Sequence, residues 1–247
     1  DASIEAGVQR FVLISTDKAV SPVSVYGASK MLCEKLILQY AKKSGQNQKF
    51  MFVRFGNVLG SRGSILPLFQ QQIKTGGPVT VTDKEMERFF MTIPEACSLV
   101  LETGGVGENG KSYLLDMGEP LKIIDLAEQI IKFSGLEPNK DIEIKIIGAR
   151  EGERNYEPLW LKEEEPQKTE YEKLLVLKNT EFGDEKLNSL LAELEPICYF
   201  KGQKQNLVEE AAENFRNKEK LIQILRKHVP TLDDYYKITK KDNSMNL

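Results

Sequence analysis

An α/β fold, with helices on both faces of a doubly wound parallel sheet, is the architecture the sequence predicts, and three observations carry it. Arg10-Phe11-Val12-Leu13-Ile14 and Phe50-Met51-Phe52-Val53-Arg54-Phe55 are short apolar runs of the kind that form strands buried on both faces. Between them lies an apolar stripe at helical spacing: Leu32, Leu36, Ile37, Tyr40 and Ala41. Each run gives way at its carboxyl end to small and polar residues, and that edge is where open α/β sheets bind ligands.

The elements follow in chain order. Asp1 to Gly7 reads as the last turns of a helix closed by glycine, so the chain is expected to open in mid-architecture, with earlier βα units upstream. Ser21 is the expected N-cap of the first full helix, with Pro22 at its first position and an end near Gly45. After the second strand, Gly56 to Ser64 forms a loop with three glycines whose backbone can approach a ligand closely. A helix over Ser64 to Lys74 with Leu66, Phe69, Gln70 and Ile73 on one face then ends at Gly76-Gly77-Pro78. Val79 to Thr82 alternates as an edge strand, and Thr92 and Glu95 have capping-box spacing before a helix that runs to about Glu102. Ser112 to Met117 is a strand, Leu121 to Phe133 a helix, and Ile142 to Ile146 an alternating strand leading into the charged loop Gly148 to Arg154. Beyond Glu157 the segment 162–168 reads as an exposed connection and Leu174 to Leu177 as a short strand. Helices are expected from Asp184 to Leu194 and over 207–228, with fraying from Lys240. The expected organisation is a partial catalytic domain over residues 1–160, with substrate-binding segments interleaved at about 61–95 and 142–160, and a mainly helical extension over 161–247.

Composition narrows the function. With 29% charged residues, a net charge of −3 and the two signs interspersed, the sequence has no basic stripe for a nucleic-acid backbone. The cysteines Cys33, Cys97 and Cys198 have no C-x-x-C spacing and suit a reducing compartment. His228 is the single histidine, so a zinc site or a Ser-His-Asp triad is hard to assemble and a metal-free mechanism is expected. No apolar run approaches the roughly 18 residues of a membrane span, and the chain reads as cytoplasmic, with any membrane tether upstream of Asp1.

Reactive side chains concentrate in Ser15-Thr16-Asp17-Lys18 and in Tyr26-Gly27-Ala28-Ser29-Lys30. Tyr26 and Lys30, four apart at the start of a helix, share one face. A phenol is a weak base at neutral pH, and a neighbouring ammonium stabilises its phenolate, so such a pair can take a hydroxyl proton as hydride leaves the same carbon.

Four motifs now stand in order: Phe11 to Val20, Arg54 to Ser64, Met91-Thr92-Ile93-Pro94-Glu95-Ala96 and Leu115-Asp116-Met117-Gly118-Glu119-Pro120. With them the sequence resembles the extended short-chain dehydrogenase/reductase family, in the branch of the UDP-N-acetylglucosamine 4,6-dehydratases of capsule, O-antigen and flagellin-glycan synthesis. The resemblance covers about residues 1–160, and the tail matches loosely, through Val229-Pro230-Thr231. It implies a Rossmann-type sheet, NADP in preference to NAD, no metal, a UDP-sugar substrate and a homo-oligomer. It implies that Tyr26 deprotonates the C4 hydroxyl, that Lys30 stabilises the phenolate and binds the nicotinamide ribose, and that Thr16 hydrogen-bonds the C4 oxygen. Lys18 would remove the C5 proton and Asp17 would protonate the departing C6 hydroxyl, giving a 4-keto-6-deoxy sugar. Ser15, Phe55, Gly56, Asn57 and Val58 would line the cofactor together with Tyr26 and Lys30. Asn57, Ser61, Arg62, Ser64, Arg88, Arg150 and Glu153 would hold the sugar nucleotide, arginine being suited to phosphate by its planar fork. The family's G-x-x-G-x-x-G cofactor loop is absent from these residues, so the 247 residues alone are expected to bind NADP poorly and to turn over little. Retention and inversion at C5 stay open, and a 4-epimerase or a non-catalytic sugar-nucleotide-binding module are the alternative readings.

Overall fold

The computed structural model describes residues 1–150, 152–178, 183–198 and 215–233. A short helix α1 (Ala2–Glu5) leads to β1 (Arg10–Thr16), a 3-10 turn (Asp17–Ala19), α2 (Val25–Lys43) and β2 (Lys49–Phe55). The chain continues through β3 (Asn57–Leu59), α3 (Ile65–Lys74), β4 (Val79–Val81), β5 (Glu87–Arg88), β6 (Phe90–Thr92) and α4 (Ile93–Val106). Next come β7 (Ser112–Leu115), β8 (Leu121–Lys122), α5 (Ile123–Phe133) and β9 (Ile144–Ile146). β10 (Glu165–Lys168), β11 (Leu174–Lys178), α6 (Asp184–Cys198) and α7 (Lys218–His228) complete the described chain.

The main sheet has the order β1-β2-β7-β11-β10. β1, β2 and β7 run parallel, whereas β11 is antiparallel to β7 and β10 to β11. Alternation along β2 sorts its side chains between two layers. Phe50 and Phe52 meet Ile37 and Ala41 of α2, while Met51, Val53 and Phe55 meet Ala96 and Leu99 of α4. The helices thus cover opposite faces, as a doubly wound sheet requires. A third layer lies outside α2: Leu187, Leu190 and Leu194 of α6 and Leu225 of α7 pack with Val229 and Leu232 against Ala28 and Leu32.

A smaller lobe stands beyond the carboxyl ends of β1 and β2. Its core joins Phe69 and Ile73 of α3, Val79 and Val81 of β4, and Ile123, Ala127, Ile130 and Ile131 of α5. Two-stranded pairings support it, β4 with β9 and β5 with β8. A third, the parallel β3 and β6 pair, carries the chain between lobe and sheet.

Three sequence expectations are corrected. β1 is an edge strand of the described sheet, and its Ile14 is 49% exposed. An apolar run reads alike whether one face or both are covered. The first full helix is capped by Ser24, three residues later than expected: Ser21 has a left-handed φ of 42°, incompatible with the extended backbone of an N-cap. Ser24 has φ −134° and ψ 157°, and its Oγ accepts the Gly27 N–H at 3.1 Å. Finally, Glu165 to Lys168 is no mere connection but a strand, its charges and proline facing solvent on an edge where they are tolerated. The sheet therefore takes its last two strands from beyond residue 160. The helix expected over 207–228 is described as α7; its earlier part and the residues from Lys240 lie outside the described residues.

Candidate active site

In the parallel register of β1 and β2, Thr16 stands opposite Phe55, so the two strands end side by side and deliver Asp17-Lys18 and Gly56-Asn57 to one edge. Thr16 caps the turn that follows: its Oγ1 accepts the Lys18 N–H at 3.5 Å and donates to Asp17 Oδ1 at 2.8 Å. Lys18 Nζ donates to the same oxygen at 3.0 Å. Asp17 is 0% exposed, and its Oδ2 is buried with no hydrogen-bond partner, whereas the Lys18 side chain is 33% exposed. The pair is therefore a buried carboxyl joined to an amine that reaches open space.

Two glycines set its surroundings. A Cβ on Gly56 would lie 2.9 Å from the Phe89 carbonyl oxygen and 3.4 Å from Asp17 Oδ2, so any side chain there would push β2's end away from the pair. A Cβ on Gly27 would overlap the Lys18 carbonyl, so α2 approaches the turn as closely as backbone allows. That contact fixes Tyr26, the second residue of α2, relative to Lys18. Tyr26 is 54% exposed and Lys30 lies one turn on, half-buried.

Between sheet and lobe lies a cleft of about 460 Å³. Lys18 opens into it, and so do Asn57, Ser61, Arg62, Ser64, Arg88, Arg150 and Glu153, the residues expected to hold a sugar nucleotide. Ser64 is the N-cap of α3, and its Oγ is buried without a hydrogen-bond partner. Glu153 Oε2 accepts the Arg150 N–H at 3.0 Å, and Ser61 Oγ donates to the Val58 carbonyl at 2.8 Å. Arg88 is 9% exposed and spends three donors on backbone: Nη1 on the carbonyls of Glu87 and Asn155 at 2.7 and 2.9 Å, Nη2 on that of Arg154 at 2.6 Å. It clamps the 154–155 segment to β5 and has little of its fork left for a phosphate.

The residues expected around the cofactor divide. Val58 and Asn57 line the cleft, and Gly56 offers only backbone. Ser15 and Phe55 turn inward: Ser15 Oγ donates to Glu34 Oε1 at 2.5 Å, and Phe55 packs in the core beneath α4. Tyr26 and Lys30 are not among the residues that line the cleft, and the described residues hold no G-x-x-G-x-x-G turn leading from a strand into a helix.

Sequence reasoning missed two groups. Arg54, Glu34 and Glu164 form a buried network: Arg54 Nη2 meets Glu34 Oε2 at 2.7 Å and Nη1 meets Glu164 Oε2 at 2.8 Å. Burial works against the guanidinium charge, and Glu34 and Glu164 outweigh it, so Arg54 is held protonated more firmly than usual. A charge inside the apolar run of β2 was the available signal. The second group is Glu157, 5% exposed on the wall of the cleft, with Oε1 4.0 Å from Arg88 Nη2. Burial raises its carboxyl above the ordinary range and Asp17 adds to the rise, against Lys18, Arg88 and Arg154. Its place in a highly charged segment hid it.

Residues 1–179 match the model of a family described as polysaccharide biosynthesis protein. The chain belongs to that family. Among its relatives, the capsular polysaccharide biosynthesis protein CapD of Staphylococcus aureus is 49% identical over 174 residues, which are 70% of this chain and 29% of that protein. A UDP-glucose 4-epimerase of Rickettsia canadensis is 39% identical over 159 residues, 64% of this chain and 45% of that one. The X-ray structure of Pen from Bacillus thuringiensis superposes with a TM-score of 0.65 at 35% identity, over 72% of this chain and 55% of that chain. DesIV, a dTDP-glucose 4,6-dehydratase from Streptomyces venezuelae, superposes at 0.53 with 21% identity over 61% of this chain and 51% of that chain, a likeness of fold alone. The chain thus has the Rossmann-type α/β architecture expected from its motifs, and it spans under a third of the length of CapD. No helix among its described residues is long and apolar enough to cross a membrane.

Proposed function

We propose that these residues are the catalytic and substrate-binding portion of a sugar-nucleotide 4,6-dehydratase acting on UDP-N-acetylglucosamine. The observation that carries the reading is the Asp17–Lys18 pair, joined at 3.0 Å at the end of β1, with Lys18 opening into the cleft. Loss of water across C5 and C6 needs a base for one carbon and an acid for the other, and adjacent groups that share a proton can supply both. Lys18, the exposed member, takes the C5 proton; Asp17 delivers a proton to the C6 oxygen, which leaves as water. Tyr26 takes the C4 hydroxyl proton, the Lys30 ammonium stabilises its phenolate, and Thr16 hydrogen-bonds the C4 oxygen. NADP, held at its nicotinamide end by Tyr26, Lys30, Asn57 and Val58, with Ser15, Phe55 and Gly56 contributing backbone, supplies the hydride-accepting and hydride-returning chemistry.

In the cleft, Asn57 faces the sugar, and Ser61, Arg62 and Ser64 receive the diphosphate at the start of α3, where an unpartnered hydroxyl and free helix N–H groups suit an anion. Arg150 and Glu153 meet the uridine, and Arg88 acts through the segment it clamps.

The relatives named as UDP-glucose 4-epimerases favour a second reading, 4-epimerisation, which needs Tyr26 and Lys30 but no elimination pair. Product identity separates the two. With UDP-N-acetylglucosamine and NADP in deuterated water, the complete protein is expected to give a 4-keto-6-deoxy product carrying deuterium at C5, read by mass spectrometry. Lys18→Ala is expected to abolish that incorporation. A C4 epimer as product, or deuterium uptake that survives the substitution, would sink the dehydratase assignment.

A further inference from the structure

Glu157 has no task among the roles above, yet it is a buried carboxyl on the wall of the same cleft. The groups facing it are Asp17 and Lys18 of the 3-10 turn, Arg88 of β5 and Arg154 of its own segment. Its nearest cation contact, 4.0 Å to Arg88 Nη2, is longer than a hydrogen bond, because that guanidinium is already committed to three backbone carbonyls. A buried carboxyl without a tight fork partner is costly to ionise and so carries its proton further up the pH scale than an exposed one.

A proton count shows where such an acid is needed. In the elimination, Lys18 takes a proton from C5 and later returns one to C5, so it comes out even. The proton that Asp17 gives to the C6 oxygen leaves in water. Each turnover therefore ends with Lys18 neutral and Asp17 ionised, one proton short of the ammonium–carboxylate pair. Asp17 is 0% exposed and cannot collect a proton from solvent directly, and the Lys18 amine, though 33% exposed, faces the C5 carbon of the product until the sugar leaves the cleft.

We propose that Glu157 recharges the Asp17–Lys18 pair. Its carboxyl O–H gives a proton to the Lys18 amine, the 3.0 Å ion pair with Asp17 is restored, and the Glu157 carboxylate takes a replacement proton from water in the cleft. The proton that Tyr26 acquired from the C4 hydroxyl goes to solvent, which balances the cycle. Glu157 thus acts through Lys18 and does not touch the sugar. The proposal rests on the assignment of Asp17 and Lys18 as acid and base in a 4,6-elimination.

The test compares single-turnover and steady-state rates of 4-keto product formation in the complete protein, with UDP-N-acetylglucosamine as substrate. Glu157→Gln keeps the shape of the side chain but cannot donate an acidic proton. Its first turnover is expected within about twofold of wild type, while steady-state kcat falls by at least about tenfold, as loss of a proton-transfer group does. Formate added to the buffer is expected to raise the kcat of the Gln variant, and Glu157→Asp to keep both rates within about threefold of wild type. An unchanged kcat in Glu157→Gln, or an equal fall in first and later turnovers, overturns the relay while leaving the dehydratase reading in place. A wild-type protein that forms no 4-keto sugar overturns the reaction itself and the relay with it.

Discussion

Glu157 is a buried carboxyl within electrostatic reach of Asp17 and Lys18, and its surroundings have a consequence for the folded protein. For Glu157 burial dominates, so its folded-state pKa lies above the unfolded value of about 4.3. Between those two values the folded chain binds more protons than the unfolded one, so stability falls as pH rises through that window and the cost persists above it. Glu157→Gln removes the titration. The urea-measured stability of the Gln variant, relative to wild type, is therefore expected to improve from pH about 4 to pH about 8; a difference independent of pH would show that Glu157 titrates as an exposed carboxyl. Residue-level reading of the sequence found the Asp17–Lys18 pair and the polar lining of the cleft, because reactive residue types at a strand's end are informative in themselves. It could not see which side of β1 Ser15 faces, or that Arg88 has carbonyls around it, since both depend on partners remote in sequence.

At the scale of elements, the approach of α2 to the 3-10 turn is what relates Tyr26 to Lys18, and Gly27 is the residue that permits it. Gly27→Ala is expected to destabilise the complete protein by about 1–3 kcal/mol, the usual cost of overpacking, and to lower activity with Tyr26, Asp17 and Lys18 all intact. Denaturant unfolding and product assay on the same sample check both, and wild-type values in each would mean the helix can back away freely. Local signals of this kind were partly legible. The Thr92–Glu95 capping box is formed, with Glu95 Oε2 accepting the Thr92 N–H at 2.8 Å, because its partners are three residues apart. The start of α2 was misplaced because Ser21-Pro22 carries the same residue types as a true cap, and only the left-handed backbone at Ser21 distinguishes them. Strand β10 was illegible for a related reason: an edge strand of charges and proline has the composition of a loop.

Across the whole molecule, one buried network ties together parts that are far apart in sequence. Arg54 of β2 bonds Glu34 of α2, Glu164 ahead of β10, and the Leu159 carbonyl at 3.1 Å. Ser15 of β1 completes it through Glu34. Arg54→Met leaves Glu34 and Glu164 buried without their cation and is expected to cost about 3–5 kcal/mol in urea unfolding of the complete protein. A loss below about 1 kcal/mol would mean that the carboxylates find water or protonate at little cost. The parallel half of the sheet and its helices were legible from periodicity. The antiparallel half and the packing of α6 and α7 on α2 were not, because they arise from contacts between segments remote in sequence, such as Leu174 with Leu115 and Ala28 with the leucines of α6.

The loop from Val20 to Ser24 has a consequence for how this site can change. It is gripped along its length: Arg154 donates to the Val20 carbonyl at 3.3 Å and to that of Ser21, Thr231 Oγ1 donates to the Pro22 carbonyl at 2.9 Å, and a Cβ on Gly152 would lie 3.2 Å from Ser24 Cβ. Those grips come from two separate stretches of chain, 152–154 and Thr231, and each is indexed to a particular residue. The loop is therefore a ruler as much as a connection. Its residues can be exchanged one at a time, but a single insertion would put the grips beyond it out of register and shift Tyr26 relative to Asp17 and Lys18. In this site the number of residues between Lys18 and Tyr26 is held as tightly as their identities.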